Sequence, residues 1–86
     1  MASTAEIKAQ LQAAIEQANE ASGAIGASMS QLETAVASGM EATQETSSAL
    51  PGEAIGQYQQ ARERLEEVLG LIQSANGTFE QYMNTI

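Results

Sequence analysis

Glutamates supply almost all of the side chains that could do chemistry in this chain. The 86 residues include 11 Glu but no Asp, His or Cys, and the densest charge cluster is Glu63, Glu66 and Glu67 with Arg62 and Arg64. A carboxylate metal site in a helical bundle usually combines Glu with Glu-x-x-His. Because His is absent, the cluster predicts a solvated helix face, not a metal site or an acid–base pair.

Other catalytic arrangements are also missing from the sequence. Serines are plentiful, but a Ser-His nucleophile needs a His, and no glycine-rich phosphate loop is present. We therefore expect no catalytic, cofactor-binding or metal-binding residue, no small-molecule ligand and no enzymatic activity.

The charge balance excludes further classes of partner. Lys8, Arg62 and Arg64 are the only basic side chains, and the net charge is −8, which would repel nucleic acid and anionic lipid. No run of about 18 apolar residues occurs, so no membrane insertion is expected. Without an apolar segment near the N-terminus, we expect a cytoplasmic protein or export by a route that needs no Sec signal peptide.

A heptad stripe through the last third predicts the element that carries these charges. It combines two apolar rows, each with a spacing of seven: Tyr58, Leu65, Ile72, Phe79 and Ile86, and Ala61, Val68, Ala75 and Tyr82. This alternation keeps one side of an α-helix facing another helix.

The first half carries a similar stripe. Its rows, extended by Ile7 and Met40, are Leu11, Ala18, Ile25 and Leu32, and Ile15, Ser22, Met29 and Val36. Ser3 and Glu6 have capping-box spacing, so this helix should begin near Thr4. Its weak point is Gly23 to Gly26, where a break would give three helices, but the unbroken heptad phase predicts one. The same reasoning predicts continuity through Asn76-Gly77.

The boundary between the helices lies at residues 46–52, where Pro51 suits a helix start and not an interior. We predict one all-α domain over 1–86, with helix one at about 4–46, a turn at 47–51 and helix two at about 52–85. The short turn makes an antiparallel hairpin, with Met29 or Leu32 near Leu65 and Ala18 near Phe79.

The apolar arc of helix two is wider than one partner helix can cover, because Leu69 and Leu71 lie on opposite flanks of the predicted stripe. We therefore expect association, with a helical protein or as a homodimer, to complete a four-helix bundle. The predicted partner-binding residues are Leu65, Leu69, Leu71, Ile72, Phe79, Tyr82, Met83 and Ile86.

Four segments carry a family resemblance: Leu11 to Ile15, Ser47 to Ala54, Ala61 to Leu69, and Tyr82 to Ile86. Together they resemble the small helical hairpin proteins of ESX (type VII) secretion systems, in particular actinobacterial helical modules associated with polymorphic toxins. The chain has no Trp-x-Gly at the turn, and no Tyr is followed four residues later by an acid. The resemblance implies a partner or targeting factor for a secreted toxin.

The sequence thus predicts a non-enzymatic, acidic, coiled-coil-like interaction module. The alternative is a structural subunit of an assembly such as a phage or a filament.

Overall fold

The structure, a computed structural model that describes all 86 residues, contains two long helices and no strand. Helix α1 spans Thr4–Ala42 and helix α2 spans Leu50–Thr85. They pack against each other as an antiparallel hairpin measuring 66 × 17 × 15 Å. The radius of gyration is 19.6 Å, against about 12 Å for a compact domain of this length. The predicted all-α hairpin is confirmed.

Helix α1 begins where the capping box places it. The Ser3 hydroxyl accepts a hydrogen bond of 3.1 Å from the backbone N–H of Glu6, which satisfies one free donor of the first turn. The helix then continues without a break through Gly23 and Gly26. Helix α2 likewise continues through Gly77. Both predictions of continuity are confirmed, and a three-helix arrangement is wrong.

The end of α1 differs from the expectation, because the helix stops at Ala42 and not near Thr46. The Thr43 hydroxyl donates to the carbonyl of Gly39 at 2.6 Å, and the Thr46 N–H bonds to the carbonyl of Thr43 at 3.2 Å. Hydroxyl side chains that bond nearby backbone groups compete with helix continuation. The connection therefore covers residues 43–49, and the Ser48 hydroxyl accepts from the N–H of Leu50 at 3.2 Å.

The α1 side of the interhelix contact follows the predicted heptad stripe. All eight residues of its two rows are half-buried. Toward the turn, however, the stripe continues through half-buried Gly39 and Thr43, while Met40 is 55% exposed. No residue of the chain is fully buried, because two helices alone enclose no interior.

Candidate interaction surface

The α2 side of the interhelix contact is rotated relative to the sequence prediction. Its central residues form a row with a spacing of seven, which we call the seam row, and every member is half-buried: Ile55, Arg62, Leu69, Asn76 and Met83. Val68, which was predicted to face helix one, is 40% exposed, and Leu69, predicted on a flank, is half-buried. The placement of the row Ala61, Val68, Ala75 and Tyr82 at the centre of the contact is therefore wrong.

Two polar contacts across the hairpin accompany this rotation. Arg62 donates from Nε to Glu33 Oε1 at 2.7 Å, and its Nη1 donates to Glu66 at 3.0 Å. Two heptads away on both helices, Asn76 Nδ2 donates to Asn19 Oδ1 at 3.0 Å. These four partners, Arg62 with Glu33 and Asn76 with Asn19, lie along one edge of the interhelix contact, the polar edge. Polar pairs of this kind specify register at some cost in stability.

The opposite edge of the contact is apolar over its whole length. On an α-helix, rows three residues apart are neighbours, so the rows on the far side from Arg62 and Asn76 can be read from the sequence. We call this surface the apolar face. It consists of Tyr58, Ala61, Leu65, Val68, Ile72, Ala75, Phe79, Tyr82 and Ile86 on α2, and of Ala14, Ala21, Ser28 and Ala35 on α1.

Most of the large side chains of the apolar face remain in contact with solvent. Tyr82 is 48% exposed, Phe79 42% and Val68 40%. Beside the face, Leu71 is 70% exposed. Such a continuous exposed patch of large apolar groups on a small protein is typical of an interaction site.

The eight predicted partner-binding residues divide between the two surfaces. Four are exposed on the apolar face or beside it: Leu71, Phe79, Tyr82 and Ile86. The other four, Leu65, Leu69, Ile72 and Met83, are half-buried.

The rows that border the apolar face are almost free of charged side chains. The two outer rows that border the face are Gln10, Gln17, Ala24, Gln31 and Ser38 on α1, and Gln57, Arg64, Leu71, Thr78 and Thr85 on α2. They contain no Glu and a single charge, that of Arg64. All of the helical glutamates therefore lie on the polar edge or on the outer surfaces of the two helices.

The glutamate cluster is arranged as a surface network. Glu66 pairs with Arg62, and the exposed fractions of the two side chains are 52% and 37%. A shallow groove beside this network is lined by Leu32, Glu33, Val36, Tyr58, Gln59, Arg62 and Glu63, so Tyr58 of the apolar face reaches it as well. No group of three or more His, Cys, Asp or Glu is placed to hold a metal ion.

Comparison with known proteins identifies no relative. No family model, curated protein or solved structure matches the chain. The structure itself adds that neither helix has the length and apolarity needed to cross a membrane. Inference about function therefore rests on the arrangement of the two edges.

The seam row was missed in the sequence although its spacing of seven is regular. Three of its members, Ile55, Leu69 and Met83, are apolar, but Arg62 and Asn76 interrupt the pattern. The signal that could have identified it is pairing across the hairpin, since Glu33 and Asn19 are also separated by two heptads.

Proposed function

We propose that this chain is a non-enzymatic protein–protein interaction module, which binds a helical partner through the apolar face. The observation that supports it is a conflict between two heptad stripes on α2. The apolar stripe meets α1 through only one of its two rows, in which Leu65 and Ile72 are half-buried, while Val68 of its other row is exposed. The seam row, which also meets α1, contains Arg62 and Asn76. A fully apolar heptad stripe is a surface for packing against a helix.

The exposed apolar side chains of this face support the same proposal. Burying a large apolar side chain contributes about 1.5–3 kcal/mol, and the face offers Val68, Phe79 and Tyr82 in a partly exposed state. A helix laid against the face beside Ala21 and Ala75 could approach closely, because alanine side chains are small.

The specific form of the proposal is a partner or targeting factor for a toxin secreted by a type VII-like system. Its support is the resemblance of the chain to helical hairpins of those systems. A structural subunit of a larger assembly is the alternative, and it predicts particles much larger than a few chains.

The proposal can be tested by site-specific labelling, because the chain contains no cysteine. Val68→Cys places a thiol on the apolar face, and Gln73→Cys places one on the opposite, polar side of α2. Maleimide labelling of both variants is measured alone and with a lysate of the native organism, at protein concentrations low enough to keep the chain monomeric. Slower labelling of Val68→Cys only, together with co-purification of a helical toxin, supports the specific form.

Equal labelling rates in both samples, combined with a monomeric wild type at all concentrations, would show that the apolar face binds nothing and would refute the proposal. Large particles seen by light scattering would favour the assembly subunit.

A further inference from the structure

The single Asn-Gly step of the chain lies at the contact between the two helices. Asn76 belongs to the seam row, is half-buried, and donates from Nδ2 to Asn19 Oδ1 at 3.0 Å. Gly77 follows it within α2, and a Cβ added there would meet no atom within 4 Å. Neither packing nor a left-handed backbone therefore requires glycine at 77, where it weakens the helix relative to alanine.

We propose that Asn76 is a site of spontaneous deamidation, and that local opening at the end of α2 controls its rate. In this reaction the backbone nitrogen of Gly77 attacks the side-chain carbonyl carbon of Asn76. The new N–Cγ bond closes a succinimide ring, the Cγ–Nδ2 bond breaks, and the side-chain nitrogen leaves as ammonia with the proton that Gly77 gives up. Water then opens the ring at either carbonyl, which leaves aspartate or isoaspartate at 76. Glycine favours the attack because it has no side chain to obstruct its nitrogen.

The intact helix opposes this reaction. A helical N–H donates to the carbonyl four residues earlier, so the nitrogen of Gly77 is occupied while α2 is formed. The side-chain amide that must leave is itself bonded to Asn19. The backbone must also depart from helical dihedral angles before the nitrogen of Gly77 can reach Cγ of Asn76. Deamidation of the folded chain therefore requires α2 to open at these two residues.

The last part of α2, residues 77–86, is held to α1 by few contacts, and we call it the end segment. Met83 is its only half-buried residue. No ion pair joins it to α1, and its side-chain hydrogen bonds, from Thr78 and Thr85, stay within α2. A loosely held helix end opens at a much lower free-energy cost than the whole fold. Asn76 stands at the inner boundary of this segment, so its opening frees the nitrogen of Gly77.

Deamidation would change both the contact and the apolar face. Either product adds one negative charge to a chain whose net charge is −8, and removes the donor that bonds Asn19. Isoaspartate also inserts an extra carbon into the backbone of α2, which interrupts the helical hydrogen-bond pattern. Phe79, Tyr82 and Ile86 then lose their alignment with the rest of the apolar face. The modification site is independent of the proposed function, whereas the resulting loss of partner binding rests on it.

The first test is to incubate the native chain in neutral buffer and to follow each asparagine by mass spectrometry of its peptides. We expect Asn76 to convert before Asn19 and Asn84, because the residues that follow those two carry side chains. Gly77→Ala should slow the conversion, since alanine obstructs the attacking nitrogen and strengthens the helix.

A matched pair of seam-row variants separates local opening from global unfolding. Met83→Ala removes the one half-buried side chain of the end segment and should raise the conversion rate of Asn76 by about 10-fold, because slow chemistry follows the population of the open state. Ile55→Ala removes a half-buried side chain of the same row near the turn. It should leave the rate within about 2-fold, because it does not affect opening of the end segment.

Circular dichroism checks that both variants keep their helices. If either loses them, amide hydrogen exchange of the wild type replaces the pair: faster exchange in the end segment than in residues 56–69 supports the proposal, and equal exchange overturns it. An Asn76 that converts in urea but stays intact in native buffer overturns the proposal, as does earlier conversion of Asn19 or Asn84. Equal effects of Met83→Ala and Ile55→Ala would overturn control by the end segment.

Discussion

Ser22 offers a stringent check of the interhelix contact. It occupies the α1 row that faces α2, and its hydroxyl is shielded from solvent without a hydrogen-bond partner. A shielded hydroxyl without a partner costs about 1–3 kcal/mol. Alanine is also the better helix former by about 0.5 kcal/mol. Since the residue as a whole is only half-buried, we expect Ser22→Ala to raise the free energy of unfolding by about 1–2 kcal/mol.

Ser30→Ala is the matched control for this substitution. Ser30 lies on the same helix but is exposed, so its replacement should contribute only the gain in helix propensity, about 0.5 kcal/mol. Urea unfolding followed by circular dichroism at one fixed protein concentration measures both variants. A difference of 1 kcal/mol corresponds to about 4–8 °C in Tm for a chain of this size.

Equal gains for Ser22→Ala and Ser30→Ala would refute the reasoning. That result would mean that the Ser22 hydroxyl is solvated, and hence that α2 does not cover this row of α1.

Three further substitutions probe other parts of the hairpin by the same unfolding assay. Ser3→Ala removes the N-cap bond to Glu6 and should destabilise the chain by about 1 kcal/mol; no loss would place the start of α1 elsewhere. Gly70→Ala should raise the free energy of unfolding by about 1 kcal/mol, because a Cβ added at Gly70 meets no atom within 4 Å. A fall in the free energy of unfolding would mean that another part of the molecule packs against Gly70. Arg62→Met should change the free energy of unfolding by less than about 1 kcal/mol, because the lost ion pairs are partly exposed. The free energy of unfolding of this variant should also depend less on NaCl concentration than that of the wild type.

The features of the fold that depend on local chemistry could be predicted from the sequence. Ser3 and Glu6 mark the start of α1, and Pro51 marks the first turn of α2. Continuity through Gly23 follows from the heptad phase, because the cost of about 1 kcal/mol for an interior glycine is small beside the packing of a long helix. The end of α1 was less predictable, because it depends on where the hydroxyls of Thr43 and Thr46 find backbone partners.

The rotation of α2 about its axis could not be predicted from its apolar pattern. Counting apolar residues selects the stripe containing Val68 and Tyr82, which has no polar member. The structure instead places Arg62 and Asn76 toward α1, where they pair with Glu33 and Asn19 across the hairpin. Pairing of this kind depends on the register between two helices, which a scan of one helix at a time does not include.

This rotation places polar side chains in the contact between the two helices. The residues that face each other across it include Ser22, Arg62 and Asn76, whereas larger apolar groups such as Tyr82 lie on the open side. Anything that binds the folded hairpin and not the unfolded chain adds to its stability by mass action. If a helical partner covers the apolar face, the stability of the wild type must rise with the concentration of that partner, while that of Val68→Glu, which places a carboxylate on the face, must not. Folding and association would then be one coupled equilibrium, because burial of the apolar face would add to the stability of the folded hairpin.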